Sequence, residues 1–206
     1  MAPRTRHLSA LLFVAAPALL LTSNPARAQR GWFVEGSATG NLLVGSTSDF
    51  LDSGFGFEVA LGRELIPALA LRADAMLVGL EEGTTAPVGE PSGGSEAADN
   101  TIVILGVGPE VTIPASFVHI DVRGHVGAAR NSQRRSNSLA PEEATWASAY
   151  GGGVGVRFDA SPRVGLVLGG DILKLGELGF ARTGGGGSVL REDPVILRLR
   201  VGLRFQ

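Results

Sequence analysis

Four side chains that could perform chemistry alternate along one segment: His119, Asp121, Arg123 and His125. Imidazole and carboxylate groups ligate metals, and a His–Asp pair can activate a nucleophile. In a β-strand these four positions share one face, and a rise of about 3.3 Å per residue separates the two histidines by roughly 20 Å. The histidines therefore cannot share one ion, and the segment offers no serine or cysteine nucleophile. We interpret the four residues as part of a salt-bridge ladder.

Other candidate motifs give weaker signals. The glycine-rich runs 151–155 and 184–187 do not fit G-x-G-x-x-G, and no strand–turn–helix pattern surrounds them. Arg130, Arg134 and Arg135 form a small basic patch that could pair with phosphate groups, although a solvated cluster on an exposed loop is the simpler interpretation. The chain has no cysteine, which excludes disulfides and thiolate metal sites. We expect no enzyme activity, no cofactor and no metal site.

Composition narrows the class of protein further. The chain of 206 residues fits one domain of ordinary size. Its 18 basic and 20 acidic residues are not the balance of a nucleic-acid-binding protein, so nucleic acid is excluded as a partner. A hydrophobic fraction of 44% excludes a disordered chain. Glycine is abundant at 30 residues, roughly double the average usage of about 7%.

Residues 1–28 have the form of a secretory signal peptide. Two arginines precede an uncharged run from Leu8 to Leu21, and Ala26-Arg27-Ala28 is the small-x-small pattern of a cleavage site. The run of fourteen residues is shorter than the ~20 needed for a membrane-spanning helix. We therefore predict cleavage after Ala28. Because the segment holds three arginines and no acids, residues 29–206 retain 15 bases and 20 acids, a formal charge of −5.

The elements that must position these side chains are β-strands, because apolar residues recur with period two. In the last strand, Leu197, Leu199 and Val201 alternate with Arg198 and Arg200, and the two sets must point to opposite faces. The fourth strand is the weakest, because Ile102 and Ile104 share a face with Glu110. Eight strands are predicted, at about 31–44, 54–64, 69–80, 101–113, 117–129, 145–158, 164–173 and 195–205.

The connections between the predicted strands alternate in length. Tight turns are predicted at 65–68, 114–116 and 159–163, and longer links at 45–53, 81–100, 130–144 and 174–194. Short turns at one end and long loops at the other are typical of outer-membrane barrels, whose turns lie in the periplasm. The sequence therefore predicts an all-β fold, an eight-stranded antiparallel up-and-down transmembrane β-barrel of residues 29–206.

Two observations favour an apolar face toward lipid over the opposite arrangement of a soluble lipocalin-like barrel. The polar faces carry nearly equal numbers of acids (Glu35, Glu58, Glu64, Asp74, Glu110, Asp121, Asp171) and arginines (Arg72, Arg123, Arg157, Arg198, Arg200, Arg204). Near balance suits a closed lumen, because an unpaired buried charge is costly. Apolar-face aromatics also cluster near the strand ends, as at membrane interfaces: Trp32, Phe158 and Phe205 at the turn end; Phe55, Phe57, Trp146 and Tyr150 at the loop end.

We assign ten residues to a structural polar network in the lumen. They are Glu35, Glu58, Arg72, Asp74, Asp121, Arg123, Arg157, Asp171, Arg198 and Arg200. Glycines and alanines on the same face of the sixth strand, at 147–155, would leave room for the bulky arginines. Eight strands enclose an interior just wide enough to be filled by side chains, so we expect the network to close the barrel.

The signal peptide, the eight strands and the terminal pattern V-x-L-x-L-x-V-x-L-x-F at 195–205 resemble the small bacterial outer-membrane β-barrels of the OmpA membrane-domain and OmpX type. The resemblance covers residues 29–206, although Gln206 follows the aromatic that commonly ends such chains. It implies a location in the outer membrane, insertion by the barrel assembly machinery, and contact with outer-membrane lipid and lipopolysaccharide. Outer-membrane lipid A deacylases also resemble this architecture, but their His–Ser pair faces lipid, whereas His125 faces the lumen by parity.

The expected role is structural, or is adhesion and binding of an extracellular ligand by a monomer through the loops at 81–100 and 174–194. Two alternatives remain open at this point. One is a passive small-solute channel, against which the lumen arginines argue. The other is a soluble periplasmic lipocalin-like binding barrel, which requires the apolar faces to point inward.

Overall fold

A computed structural model describes residues 31–44, 53–80, 99–134, 145–181 and 189–206. The predicted signal peptide, most of the predicted links 45–53, 81–100 and 130–144, and residues 182–188 of the link 174–194 lie outside these ranges. Within them the chain forms ten strands: β1 (Trp32–Val44), β2 (Gly54–Ile66), β3 (Leu69–Leu80), β4 (Asp99–Ala115), β5 (Val118–Arg134), β6 (Thr145–Ser161), β7 (Val164–Leu175), β8 (Leu178–Ala181), β9 (Val189–Glu192) and β10 (Val195–Phe205). No helix among the described residues is long and apolar enough to cross a membrane.

Eight of the strands close into a barrel in the order β1-β10-β7-β6-β5-β4-β3-β2. Every neighbouring pair is antiparallel, including β1 with β10, which joins the first barrel strand to the last. The predicted all-β, eight-stranded up-and-down barrel is therefore confirmed. Closure leaves no unpaired sheet edge among the described barrel strands, which is the condition for a β-structure to span a bilayer.

The strands β4 and β5 are longer than predicted. Their pairing continues to Asp99 and Arg134 at the loop end, so Arg130 and Arg134 lie within β5 and not on a loop, while Arg135 lies outside the described residues. The three predicted tight turns are confirmed and shorten to 67–68, 116–117 and 162–163. Ser116 adopts a left-handed φ of 58° in the second of them, a conformation that permits a tight reversal.

The strands β8 and β9 form a hairpin that the sequence analysis did not predict, and we call it the cap hairpin. Two backbone hydrogen bonds hold its base on the barrel: Leu175 N donates to Pro194 O at 2.9 Å, and Gly176 N donates to Ser148 O at 2.7 Å. Leu178 is fully buried, and β8 contacts β5 and β6. Strands of four residues are too short to show a clear alternation, which explains why the hairpin was missed.

The outer face of the barrel wall is apolar, and the charged side chains of the strands point inward, as predicted. Leu199 is 67% exposed, whereas its neighbour Arg200 is 3% exposed. The aromatics predicted for the two interfaces point outward, with Trp32 and Phe158 at the turn end and Trp146 and Tyr150 at the loop end. This orientation is opposite to that of a soluble lipocalin-like barrel, in which apolar side chains fill the interior.

The lumen contains two layers. Its loop end holds an apolar plug of inward side chains, formed by Leu43, Met76, Val78, Leu80, Ile102, Ile104, Ala129, Ala149, Leu173, Leu175, Leu178 and Ile196. The two layers explain why the alternation of polar and apolar residues is weak in the predicted fourth strand, β4. Ile102 and Ile104 point into the lumen as part of the plug, whereas Glu110, on the same face, lies in the charged layer. Charged side chains fill the lumen from its middle to the turn end.

Candidate functional site in the barrel lumen

The charged layer, which we call the lumen network, contains equal numbers of arginines and carboxylates among the described residues. Its twelve buried members are Glu35, Glu58, Asp74, Glu110, Asp121, Asp171, Arg72, Arg123, Arg157, Arg198, Arg200 and Arg204. All ten residues assigned to the network from the sequence are among them. Glu64, which was predicted on a polar face, is instead exposed, because it lies at the turn end of β2 where the register with β3 shifts. Without Glu64 the lumen network contains six carboxylates and six arginines.

Arg72, on β3, is the most connected member of the lumen network. Its guanidinium donates to Glu35 at 3.0 Å and to Glu110 at 3.1 Å, and it also donates to Glu58. The three glutamates come from three different strands, β1, β2 and β4. The planar fork of a guanidinium suits this role because it presents five N–H donors in fixed directions. One arginine thus connects four strands.

Glu58 connects Arg72 to the other side of the lumen. Arg123 donates to it at 2.6 Å and Arg198 at 2.8 Å. Arg123 also donates through Nε to Asp171 at 2.7 Å, so one guanidinium links carboxylates from β2 and β7. Arg198 additionally approaches the Met76 sulfur at 2.8 Å, where the network meets the apolar plug.

The turn end of the network is organised around Glu35 and Arg204. Glu35 accepts hydrogen bonds from Arg200 at 2.5 Å and from Arg204 at 2.6 Å, and Arg204 also reaches Glu110 at 2.7 Å. The guanidinium of Arg204 lies 4.1 Å from the ring centroid of Phe33, a cation–π distance. Phe33 is an inward aromatic, 2% exposed, that the sequence analysis did not single out. Phe33 packs against Arg204 at the turn end of the charged layer.

The β5 motif, our name for His119, Asp121, Arg123 and His125, finds its partners on other strands. His119 Nδ1 lies 3.2 Å from Asp159, and His125 Nδ1 lies 3.1 Å from Asp74. In the salt-bridge ladder expected from the sequence, Asp121 and Arg123 do not bond each other along the strand. Arg123 bonds Glu58 and Asp171 instead, while Asp121 accepts from the Thr112 hydroxyl at 2.7 Å and lies 3.6 Å from Arg204.

The reason is geometric, because same-face neighbours on one strand are about 7 Å apart, whereas facing strands of a narrow barrel approach closely. Within the described part of the chain, no group of three or more potential ligands could hold a metal ion. The residues of the β5 motif therefore contact separate partners on other strands.

Inward glycines leave the space that the lumen network occupies. A Cβ atom built at Gly155 would lie 2.8 Å from Arg200 Nη2, and one at Gly153 would overlap the Asp171 carboxylate. A Cβ at Gly106 would overlap the His125 ring. Small residues were predicted on the inward face of β6, and the structure gives the specific side chain that each glycine accommodates.

The lumen leaves little free space around its charged groups. A cavity bounded by Asp74, Arg123, His125 and Leu173 has a volume of about 10 Å³, which is room for about one water molecule. Paired guanidinium and carboxylate groups therefore occupy this region, and the arrangement is chemically that of a packed ionic core rather than a ligand pocket.

Two network members, Glu110 and Arg204, were missing from the ten assigned residues. Both had been placed on polar faces by their parity, and both form short contacts in the structure. For these two residues parity was a sufficient signal that they face the lumen. Which lumen residues carry the most contacts could not be derived from parity, because that depends on how the barrel closes.

The outer wall carries an arginine–tryptophan pair near each end. Arg63 lies over Trp32 at the turn end with 5.5 Å between guanidinium and ring centroid, and Arg130 lies over Trp146 at the loop end at 5.8 Å. All four side chains are exposed on the wall. Aromatic rings paired with cations are typical of the headgroup levels of a membrane. The two pairs bracket the apolar belt.

No protein-family model matches the chain, and no curated protein sequence matches it. The crystal structure of Neisserial surface protein A is similar, with a TM-score of 0.62 at 17% identity over 87% of this chain and 99% of that one. The crystal structure of a major outer membrane protein from Thermus thermophilus gives a TM-score of 0.55 at 13% identity over 85% of this chain and 99% of that one. The chain has the fold of the small outer-membrane β-barrels.

Proposed function

We propose that residues 29–206 form an integral β-barrel of the bacterial outer membrane that is non-enzymatic and conducts no solute. The observation that carries the proposal is the filled lumen. Six buried arginines and six buried carboxylates occupy the lumen toward the turn end, where Phe33 is also buried, and the apolar plug, which includes Leu178 of the cap hairpin, fills the loop end. Because buried side chains fill the interior of the described barrel, we infer that its role is structural, or is adhesion and ligand binding at the loop end.

Three further observations support the location and the partners. The outer wall is an apolar belt, which in water would be a large exposed hydrophobic patch and which lipid covers without cost. The fold is shared with outer-membrane proteins, and the first 28 residues have the pattern of a signal peptide. In this proposal the barrel is a monomer surrounded by outer-membrane lipid and lipopolysaccharide, inserted by the barrel assembly machinery.

We expect the purified protein to give no steady single-channel conductance in planar lipid bilayers. The physical reason is that an ion would have to displace buried, mutually paired charges and then cross the apolar plug. A general porin reconstituted in the same bilayers provides the positive control. Steady, reproducible conductance steps would contradict the closed lumen and favour the small-solute channel.

We expect the protein to fractionate with outer membranes after a urea wash and to begin at Gln29. Heat-dependent migration in detergent gels would report the folded barrel, and mass spectrometry of the N-terminal peptide would report the cleavage site. The matched variant Ala28→Arg should retain the leader, because signal peptidase requires a small residue there. Recovery of the wild-type chain in the soluble periplasmic extract would contradict the membrane location.

A further inference from the structure

The outer wall contains an apolar groove across β6, β7 and β10 in the loop half of the barrel. Gly152 and Gly170 point outward and carry no side chain, while Ile172, Leu197 and Leu199 form the surrounding walls. The groove has a volume of about 380 Å³. A sheet whose outward side chains were all large would have no such groove. The groove is lined mainly by apolar side chains, which suits a hydrocarbon chain.

Cations and aromatic rings lie on the outer wall beyond the loop end of this groove. Lys174, the one lysine in the sequence, follows the groove residue Ile172 on the same outward face of β7 and is directly paired in register with Tyr150 of β6. Trp146, four residues before Tyr150 on the same face, carries Arg130 above its ring. Four residues along a strand span about 13 Å. Lys174, beside Tyr150, and Arg130, over Trp146, are therefore two separate cations at the loop end of the same wall.

The two cations differ from the arginines of the lumen in being available to a partner. Lys174 and Arg130 are both exposed, and no salt bridge joins either of them to a residue whose side chain the structure describes. A cation beside an aromatic ring at a membrane interface is placed to meet lipid phosphates. Charge complementarity therefore indicates a ligand with an acyl chain and more than one phosphate.

We propose that this wall of the barrel is a binding site for the lipopolysaccharide of the outer leaflet. One acyl chain of its lipid A lies in the groove over Gly170 and Gly152, and its phosphates lie on Lys174 and Arg130. The proposal deepens the proposed function, because it takes the loop end of the barrel to be the side of the membrane that carries lipopolysaccharide. It assigns a role to the outward glycine Gly170, which the packing of the barrel does not require: a Cβ there would make ordinary contacts, 3.5 Å from Arg198 O.

The charge half of the site is tested by lipid A binding in detergent micelles. In a Trp32→Phe background, the remaining tryptophan, Trp146, reports titration of dodecylphosphocholine micelles with diphosphorylated lipid A. We expect Lys174→Gln combined with Arg130→Gln to weaken binding at least about tenfold. Arg63→Gln is the matched control, because Arg63 also lies on the outer wall over a tryptophan position but at the turn end; it should change binding less than about twofold.

The groove half is tested by filling it. We expect Gly170→Leu to weaken lipid A binding about tenfold by occupying the place of the acyl chain. Gly36→Leu is the control, since Gly36 also lies on the outer wall, lines no part of the groove, and has no atom within 4 Å of its built Cβ. Heat-modifiable migration would confirm that each variant is folded.

Three results would overturn the proposal. One is unchanged lipid A binding in either the charge variant or the groove variant. The second is equally tight binding of phosphatidylglycerol, which would make the wall a general lipid contact. The third is displacement of lipid A by inorganic phosphate alone, which would leave the groove without a role. Because the assay uses micelles, its outcome does not depend on where the protein resides in the cell, so a failure here is distinguishable from a failure of the fractionation experiment.

Discussion

Replacing Arg72 by methionine is expected to lower the free energy of unfolding by about 3–5 kcal/mol, the cost of leaving buried charges without their partner. Arg72 bonds Glu35, Glu58 and Glu110 at once, and all three carboxylates are buried. Methionine fills much of the same volume, so the effect isolates the charge and its hydrogen bonds. The measurement is a urea titration of the folded fraction in detergent micelles, followed by heat-modifiable migration.

Arg157→Met provides the matched control for this prediction. Arg157 is also a buried lumen arginine, but its near partner is Asp159 at 3.2 Å, whose side chain is 35% exposed and can be rehydrated. Its other partner, Asp121, is 3.8 Å away and keeps Thr112 and Arg204. We expect a loss of at most about 1 kcal/mol. Equal losses in the two variants would show that the number of buried partners does not determine an arginine's contribution.

Leu199→Arg is expected to destabilise the barrel in membranes by about 2–4 kcal/mol and to block its assembly, because it places a charge on the lipid face near the middle of the bilayer. Leu199 is 67% exposed and lies at the centre of β10, paired in register with Gly40 and Gly170. The measurements are the yield of heat-modifiable protein in the outer membrane and the urea midpoint after folding into vesicles.

Leu65→Arg is the matched control, because it also replaces an outward leucine by arginine but at a different depth in the membrane. Leu65 is 58% exposed and stands at the turn end of β2, at the level of the headgroups, where an arginine costs about 0–1 kcal/mol. Normal assembly of Leu65→Arg beside failed assembly of Leu199→Arg would locate the hydrocarbon belt on the barrel. If both variants assembled normally, the wall would not face lipid at the depth that the structure indicates.

Alternation carried most of the correct predictions, and its failures have local causes. In β10 the residues between the apolar positions from Leu197 onward are arginines or glycine, and each of these arginines is buried. Glu64 has inward parity but is exposed, because it lies at the turn end of β2, where the register with β3 shifts. The fourth strand looked irregular because an inward-facing side chain was assumed to be polar, whereas Ile102 and Ile104 belong to the apolar plug.

The cap hairpin and the loop-end plug could not be inferred in this way. The segment that folds into β8 and β9 offers only four residues to each strand, too few for a period to be measured. Leu178 is buried because the hairpin returns over the barrel and β8 contacts β5 and β6. Burial of that kind depends on where a loop returns in space, which is a property of the closed barrel.

The order of residues along the chain was enough to predict the eight barrel strands, their antiparallel arrangement and the face that most residues present, because successive side chains of a strand point to opposite sides whatever the rest of the chain does. Which charges meet became clear only from the closed barrel. Glu35 and Arg204 are 169 residues apart in sequence and 2.6 Å apart across the closing strand pair, and Arg123 bonds Glu58 and Asp171 rather than its neighbour Asp121. Closure and register bring such groups together, and both are set by all eight strands at once.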